Sequence, residues 1–345
     1  LQTPFRERTN RAVALRESGI NLTTTASYDH EAVRALVADI AAYVTRDPVD
    51  AQIQSFDYAT RTFSFTESQP GVTLDQDLLY ERVTAALDRW ESGVTVTVDP
   101  IVTEPAVTKD ELVASFGLVA AYTTETTNDS NRNTNIDLAC QAINGTALMP
   151  GETFSFNQAT GQRTTEKGYK SAGAIAAGQS IEEVGGGICQ VSSTLFNAVA
   201  RANLEIVSRS PHAWPSTYVN IGEDATVNWP NLDFQFKNNT KSPIFIITYY
   251  KNRRMSAEIW GMSLGEGVTI DLQSTIIKTI DPPSEVKYEL NTDLPYGTEK
   301  TTVKARTGYV VETEKVWYKD GQETRRELLH TSNYRAYQQV IEYNY

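Results

Sequence analysis

The segment Gly185-Gly186-Gly187-Ile188-Cys189 places a thiol just after three consecutive glycines and at the start of a helical pattern. A thiol at a helix N-terminus lies near unpaired N–H groups and the positive end of the helix dipole, which lower its pKa. Glycines let the backbone approach a substrate and leave amides free to bind an oxyanion. The pattern predicts that Cys189 is a nucleophile, with a buried structural thiol as the alternative. The helical pattern rests on apolar residues at helical spacing: Leu195, Phe196, Val199 and Ala200.

Composition narrows the setting of this thiol. The 345 residues carry 43 Asp and Glu against 31 Lys and Arg, a formal net charge of −12. This balance argues against nucleic-acid binding, which needs clustered cations. The longest apolar run, from Pro243 to Tyr250, is far too short to cross a bilayer. Many short Thr- and Val-rich runs favour an extracytoplasmic protein.

The second cysteine, Cys140, has a different context. It lies on the apolar stripe of a helical pattern over 136–143, which predicts an inert buried thiol. A disulfide between Cys140 and Cys189 is the alternative. The chain has no CxxC motif, and its three histidines are far apart, so we predict neither a metal site nor a cofactor.

His212 is the histidine best placed to serve Cys189. It lies in Ser210-Pro211-His212-Ala213-Trp214-Pro215, where two prolines stiffen the backbone. A cysteine nucleophile needs a base of near-neutral pKa, and this is the only histidine of the same predicted domain. The alternative is a loop histidine packed beside Trp214. His30 and His330 are predicted to be structural or solvent-facing.

A third, orienting group is expected near the pair. Asp224 follows within reach, and Tyr218 and Asn220 are its rivals.

Periodicity divides the chain into three parts: 1–122, 123–262 and 263–345. The expected fold class is multidomain α+β, with a small α+β N-terminal domain, a mixed central domain with a mostly antiparallel sheet, and an all-β C-terminal module. The connector 122–135 is expected to be polar and irregular. The C-terminal part has an alternating run over 309–318 followed by an Asp320-Gly321 hairpin signal. The N-terminal predictions are helices over 33–44 and 75–90 and strands over 51–56, 62–66 and 94–98.

The middle third of the chain carries a set of short motifs that belong together: Asn131-Arg132, Asn135-Ile136, Asn144-Gly145-Thr146, 150–157, Gly161, Arg163-Thr164, Gly168-Tyr169, 185–195, 205–207, His212, Tyr218-Val219, 224–226, 232–234 and 238–240. In these motifs it resembles the VanW family, named from vancomycin-resistance clusters. Two residues depart from the family pattern: Gln162, where the family usually has proline, and Cys140, where it usually has a small residue without a thiol.

The flanks resemble domains that accompany this family. Residues 47–51 and 71–75 are similar to a peptidoglycan-binding domain often found before VanW. Gly308-Tyr309, Val316, Asp320-Gly321 and Arg326-Glu327 resemble the β-module named for its five glycines, although this copy is glycine-poor. The resemblance implies a wall-facing, extracytoplasmic protein whose full-length form has a membrane anchor absent from this chain. Its implied partners are peptidoglycan stem peptides and glycan.

The activity that the resemblance implies is L,D-transpeptidation of peptidoglycan, with Cys189 as nucleophile, His212 as acid and base and Asp224 as orienting group. Amides of Gly187, Ile188 and Gln190 are the expected oxyanion donors. The expected substrate cleft contains Gly186, Arg163, Trp214 and Tyr218. Arg163 suits a stem carboxylate, and a salt bridge within its own loop is the alternative.

Three other functions remain open at this stage. Water as acceptor would make the same site an L,D-carboxypeptidase. The chain could also be a cysteine peptidase of wall peptides or a non-catalytic wall-binding scaffold. The flanking domains are expected to position substrate without adding chemistry.

Overall fold

The computed structural model describes residues 4–19, 26–90, 92–176 and 179–345. The chain forms two compact units. The N-terminal unit consists of 1–50 and 68–106, and the main unit consists of 51–67 and 107–345.

The N-terminal unit has helices Phe5–Ser18, His30–Val44 and Gln76–Asp88 and an antiparallel pair of strands, Gly71–Thr73 and Ile101–Thr103. The second and third helices pack together through Val37, Ala41, Leu79 and Ala86. Asp29 and Asp75 cap these two helices by accepting hydrogen bonds from first-turn amides. Both predicted helices are confirmed.

The predicted strand over 94–98 is wrong, because these residues are irregular. The Gly71–Thr73 strand pairs instead with Ile101–Thr103. The carbonyl of Thr97 accepts a hydrogen bond from the Arg82 side chain rather than from a neighbouring strand. Alternation alone therefore predicted a strand where the described residues supply no partner strand.

The central sheet of the main unit is antiparallel and has the strand order Phe116–Glu125, Arg254–Met262, Ile244–Lys251 and Thr146–Leu148. Helices Ser130–Ile143 and Ile188–Arg201 pack on it. The polar connector predicted over 122–135 is wrong: it contains the end of an edge strand and the start of a helix. Polar residues of this segment stabilise the helix start, because Asp129 accepts hydrogen bonds from the amides of Asn131 and Arg132 there.

Smaller elements surround this sheet. A second antiparallel sheet has the order Glu205–Ser208, Gln235–Lys237 and Thr153–Ser155. The hairpin Ile53–Asp57/Thr62–Phe65, predicted from alternation, belongs to the main unit, where Phe56 packs on Phe245 and Trp260. A cut at residue 122 would thus divide the Phe116–Glu125 strand and remove this hairpin. The remaining elements are helices Lys109–Ser115 and Phe156–Thr160, the short helix Thr165–Lys167 and the hairpin Ser171–Ala176/Gln179–Val184.

The C-terminal part is all-β, as predicted. Strands Val268–Ile280, Gly308–Lys319 and Gln322–Tyr334 form an antiparallel sheet, called here the C-terminal sheet. Its hairpin turns at Asp320 and Gly321, which have φ of 51° and 81°. A further sheet has the order Lys287–Leu290, Val340–Asn344 and Thr298–Val303. The α+β fold class predicted from the sequence is confirmed.

The core of the main unit is centred on helix Ile188–Arg201, called here the cysteine helix. Leu195, Phe196, Val199 and Ala200 are fully buried, as the helical spacing predicted. Most of the helix is enclosed between the central sheet and the loops that carry the site. The first turn of this helix is therefore anchored by the largest apolar cluster of the unit.

Replacing Leu195 by Ala should lower the free energy of unfolding by about 2–5 kcal/mol, because it leaves a cavity in a fully enclosed site. The matched control is Leu328→Ala on the C-terminal sheet, where the side chain is 56% exposed and the expected change is below about 0.5 kcal/mol. Urea unfolding of both variants measures the difference, and equal losses would contradict this account of the core.

Candidate active site

The cysteine helix begins directly after the glycine turn. Gly187 is its N-cap and has a φ of 105°, in the left-handed region that glycine tolerates. A Cβ on Gly186 would lie 2.3 Å from the carbonyl oxygen of Ala172. Buried Asn135 binds this turn by donating from Nδ2 to the carbonyl of Gly186 at 2.9 Å. The glycines are thus needed for close packing around the thiol as well as for backbone freedom.

The two cysteines are free, so the alternative of a disulfide between them is excluded. Cys140 is fully buried, and burial raises the pKa of its thiol far above the ordinary range. Cys189 is only partly buried and lines a cleft. Its sulfur lies 3.5 Å from Oγ1 of Thr226 and 3.4 Å from the carbonyl oxygen of Val227.

His212 and Asp224 form a hydrogen-bonded pair beside this thiol. Oδ2 of Asp224 accepts from the backbone N–H of His212 at 2.7 Å and contacts the ring Nδ1 at 2.5 Å. This contact leaves Nε2 free to face Cys189 and the hydroxyl of Tyr218, which is 3.4 Å away. The structure therefore brings together the three residues that the sequence analysis named as nucleophile, base and orienting group.

Electrostatic interactions within this trio favour a negatively charged Cys189 and a positively charged His212. Burial raises the pKa of Cys189, but the hydrogen bond and charge of His212 outweigh it and lower that pKa to about 7. Burial lowers the pKa of His212, but the hydrogen bond to Asp224 and the interaction with Cys189 raise it to about 10. Burial raises the pKa of Asp224, but the hydrogen bond to His212 and the charge of that ring outweigh burial and lower the pKa to about 2. These opposite shifts favour a thiolate beside an imidazolium over a neutral thiol beside a neutral imidazole.

Polar side chains of the cysteine helix attach the Asp224 loop. Ser193 Oγ accepts from the amide of Ala225 at 2.9 Å, and Ser192 Oγ donates to the carbonyl of Ala225 at 2.5 Å. Asn197 Nδ2 donates to the carbonyl of Glu223 at 2.8 Å. One rigid helix thus carries the thiol and holds the loop of the orienting carboxylate.

The rivals for the orienting role have other contacts. Asn220 donates from Nδ2 to Glu223 Oε1 at 2.9 Å. Tyr218 lies on the Nε2 side of His212, opposite the carboxylate. Burial raises the pKa of its hydroxyl well above 10, which keeps it neutral.

Two of the predicted oxyanion donors are already occupied. The amide of Ile188 donates to the carbonyl of Gly185 at 3.3 Å, and that of Gln190 donates to the carbonyl of Gly187 at 3.0 Å. The Gln190 side chain is also committed, because its Oε1 accepts from Arg132. Within the described part of the chain, the amides of Gly187 and Cys189 have no backbone acceptor. The amides of Gly187 and Cys189 are therefore the ones at the helix start that are free of a described backbone acceptor.

Arg163 lines the cleft and has an unpaired guanidinium. All three of its nitrogens are buried and have no hydrogen-bond partner among the residues that the structure describes. Burial lowers the pKa of this group, and its nearest ring is Phe156, 5.6 Å away. The alternative of a salt bridge within its own loop has no support in the described contacts. Cys189 and Asp233 attract this cation through space, but neither is hydrogen-bonded to it, so the guanidinium is buried without the hydrogen bonds that normally offset the cost of burying a charge.

Trp214 is not among the side chains that line the cleft. It is 7% exposed and packs edge-on against Tyr337 at 5.7 Å, with the Arg306 guanidinium 4.3 Å from its ring centre. The prediction failed because the partners of Trp214 come from the distant C-terminal part. Gly186 and Tyr218 do line the cleft.

The cleft has a volume of about 770 Å³. Several residues that form or support the cleft were not predicted from the sequence. Arg209 is the buried partner of Asp224, with Nη2 3.0 Å from Oδ1. It lies three residues before His212, and a charged residue so close in sequence to that loop was the signal that could have revealed it. Missed residues that line the cleft include Arg132, Thr226, Trp229, Asn333 and Arg335.

Two features are absent from the described residues. No helix in that part of the chain is long and apolar enough to cross a membrane. The same residues contain no group of three or more His, Cys, Asp or Glu side chains arranged to bind a metal ion.

The chain is similar in sequence to a known family and to two bacterial proteins. The model described as "VanW like protein" matches residues 131–260, which contain the trio. The protein named "Uncharacterized protein YoaR" of Bacillus subtilis (strain 168) is 34% identical over 275 residues, 79% of this chain and 86% of that protein. The chain belongs to the VanW family. "Vancomycin B-type resistance protein VanW" of Enterococcus faecalis is 33% identical over 115 residues, 32% of this chain and 42% of that protein.

The flanking regions match other models. "Putative peptidoglycan binding domain" matches residues 2–95, and "G5 domain" matches residues 273–344. Solved structures titled "IgA1 Protease G5 domain structure" and "Crystal structure of HP0197-G5" cover 23% and 22% of the chain, with 22% and 14% identity and TM-scores of 0.16 and 0.12. The two domain matches associate this VanW-family protein with the cell wall, outside the cytoplasm.

Alkylation by iodoacetamide should modify Cys189 and spare Cys140 in the folded protein. The rate should rise with pH through about 7, because the thiolate reacts and its pKa is lowered to that value. Mass spectrometry of the Cys189→Ala and Cys140→Ala variants assigns the label. Equal labelling of the two thiols, or a midpoint at the ordinary cysteine pKa of about 8.5, would contradict the thiolate–imidazolium pair.

Proposed function

We propose that this VanW-family protein is a cysteine-dependent acyltransferase, an L,D-transpeptidase that forms 3→3 cross-links in peptidoglycan. The observation that carries the proposal is the Cys189–His212–Asp224 trio at a helix N-terminus inside an open cleft. Its substrates are stem peptides attached to glycan, and the N-terminal unit and the G5-like module hold the enzyme on the wall. We further propose a membrane anchor in the full-length protein.

Acylation begins with attack of the Cys189 thiolate on the carbonyl carbon at the L-centre of the third stem residue. The peptide bond to the terminal D-alanine breaks. The leaving amine takes its proton from Nε2 of the His212 imidazolium, and a thioester remains on Cys189. The imidazole is then neutral and remains oriented by Asp224 through Nδ1.

Deacylation reverses these roles. The side-chain amine of the third residue of a second stem attacks the thioester, and His212 Nε2 takes the proton that this amine loses. The new amide forms as the Cys189 thiolate leaves. Amides of Gly187 and Cys189 are positioned by the helix start to stabilise the oxyanion in both steps. Hydrolysis by water at the same thioester would give the L,D-carboxypeptidase reaction.

Arg163 is the proposed binding group for a stem carboxylate. A guanidinium suits bidentate binding of a carboxylate, and this one lines the same cleft as Cys189 without a hydrogen-bond partner among the described residues. Binding would neutralise a buried charge that otherwise lowers the stability of the free enzyme.

Cys189→Ala should abolish release of D-alanine from a tetrapeptide stem while leaving the melting temperature nearly unchanged. Cys140→Ala is the matched control and should retain activity, because this thiol is enclosed in the core. Mass spectrometry detects the thioester, free D-alanine and cross-linked dimer. Dimer supports transpeptidation, free tripeptide alone supports the carboxypeptidase, and cleavage within an existing cross-link supports a cysteine peptidase. Activity in Cys189→Ala would contradict the mechanism.

Arg163→Met should raise KM for the stem at least tenfold, the loss expected for one charge-assisted contact of roughly 1.5–3 kcal/mol. The melting temperature should stay the same or rise, because the variant removes an unpaired buried charge. Arg326→Gln is the control, since Arg326 pairs with Glu314 and Glu323 far from the cleft. An unchanged KM together with a fall in melting temperature would instead indicate a structural Arg163.

A further inference from the structure

The carboxylate of Asp224 accepts hydrogen bonds on each of its oxygens. Oδ2 binds the backbone and ring of His212. Oδ1 accepts from Arg209 Nη2 at 3.0 Å and from the Tyr334 hydroxyl at 2.6 Å. Tyr334 lies 110 residues further along the chain, at the end of the last strand of the C-terminal sheet. A side chain of the G5-like region therefore contacts the orienting residue of the trio directly.

Tyr334 also fixes the turn that precedes Asp224. Its hydroxyl accepts from the amide of Gly222 at 2.8 Å, and its side chain is 1% exposed. The carbonyl of Gly222 accepts from Thr313 Oγ1 at 3.2 Å and from His330 Nε2 at 2.8 Å, both in the C-terminal sheet. Burial lowers the pKa of His330 to about 4, so the ring is a neutral donor.

Successive side chains of the last strand of the C-terminal sheet point to opposite faces, and the two faces make different contacts. Ser332 and Tyr334 point inward, where Ser332 Oγ accepts from Arg209 Nη1 at 2.7 Å. Asn333, on the opposite face, lines the cleft, as does Arg335 just beyond the strand. The amide of Arg335 donates to the carbonyl of Ala213, next to His212, at 3.0 Å. The sheet thus contacts both loops that carry the His212–Asp224 pair.

We propose that the C-terminal sheet is a structural part of the reactive site and that Tyr334 is a positioning residue for it. Tyr334 acts through Asp224: it holds Oδ1, so that Oδ2 stays directed at His212 Nδ1 and Nε2 stays directed at Cys189. This inference rests on the proposed function only in taking the trio as the reactive unit. It goes beyond the expectation that the flanking domains position substrate without adding chemistry.

The charged and titratable groups around Asp224 define what a pH profile reports. His212 and Arg209 contact its carboxylate, Tyr334 donates to it, and His330 lies behind Gly222. Cys189 and Tyr218 lie beyond the imidazole. Loss of the Tyr334 hydroxyl would leave Oδ1 with Arg209 alone and the Gly222 amide without its acceptor. The turn would relax, the imidazolium would move from Cys189, and the thiol would lose its main source of stabilisation.

The test compares Tyr334→Phe with Tyr318→Phe in the full chain. The Tyr318 hydroxyl accepts from Gln273 on the same sheet and has no contact with the trio. Tyr334→Phe should raise the apparent pKa in the iodoacetamide profile of Cys189 and lower the alkylation rate at pH 7 about tenfold, as expected for loss of a hydrogen bond to a charged group. kcat for D-alanine release should fall by a similar factor with little change in KM. Tyr318→Phe should match the unsubstituted chain in both assays.

An unshifted alkylation profile in folded Tyr334→Phe protein would overturn the proposal. A lower rate that is fully explained by a smaller folded fraction would overturn it as well. If this variant does not fold, Ser332→Ala decides, because it loosens Arg209 without touching Asp224. It should shift the profile in the same direction by a smaller factor, and an unshifted profile overturns the proposal. Alkylation is independent of the natural reaction. A shifted profile without D-alanine release from the unsubstituted chain would therefore refute the proposed function and support the positioning role.

Discussion

The buried carboxylate of Asp224 is the interaction on which the site depends. Moving a carboxylate out of water costs several kcal/mol unless paired donors replace its hydration. Here His212, Arg209 and Tyr334 replace it; His212 and Arg209 come from one loop, and Tyr334 comes from a strand of the C-terminal sheet. These segments must converge for the charge to be tolerated, so the same requirement that stabilises Asp224 also aligns His212 beside the thiol.

The cysteine helix transmits this alignment to the nucleophile. Its apolar face is held by the core, and its polar side chains bind the loop of Asp224 through Ser192, Ser193 and Asn197. Cys189 lies in the first turn of that helix, where the helix dipole and the imidazolium both favour the thiolate. Positioning of the thiol and of its orienting carboxylate thus rests on one rigid element, which is a common requirement of preorganised catalytic sites.

Arg163 is a second buried charge, but its hydrogen-bonding groups lack described partners. Asp224 is buried with its donors, whereas the Arg163 guanidinium is buried without a described partner in a chain whose net charge is −12. An unpaired buried cation lowers stability, and its persistence in a cleft is the type of local conflict expected at a functional site. The stem carboxylate of the proposed function would supply the hydrogen-bonded partner that Arg163 lacks among the described residues.

The sequence by itself determined the local parts of this protein. The glycine turn, the helix behind Cys189, the stiff loop of His212 and the hairpin at Asp320-Gly321 all follow from short-range patterns, because glycine, proline and helical spacing act within a few residues. Only the tertiary structure decided which partners these parts meet. It buried Trp214 against Tyr337 and brought Tyr334 to Asp224 across 110 residues. Such contacts depend on how distant strands register and on which buried charges find donors, and no local pattern in one sequence encodes either.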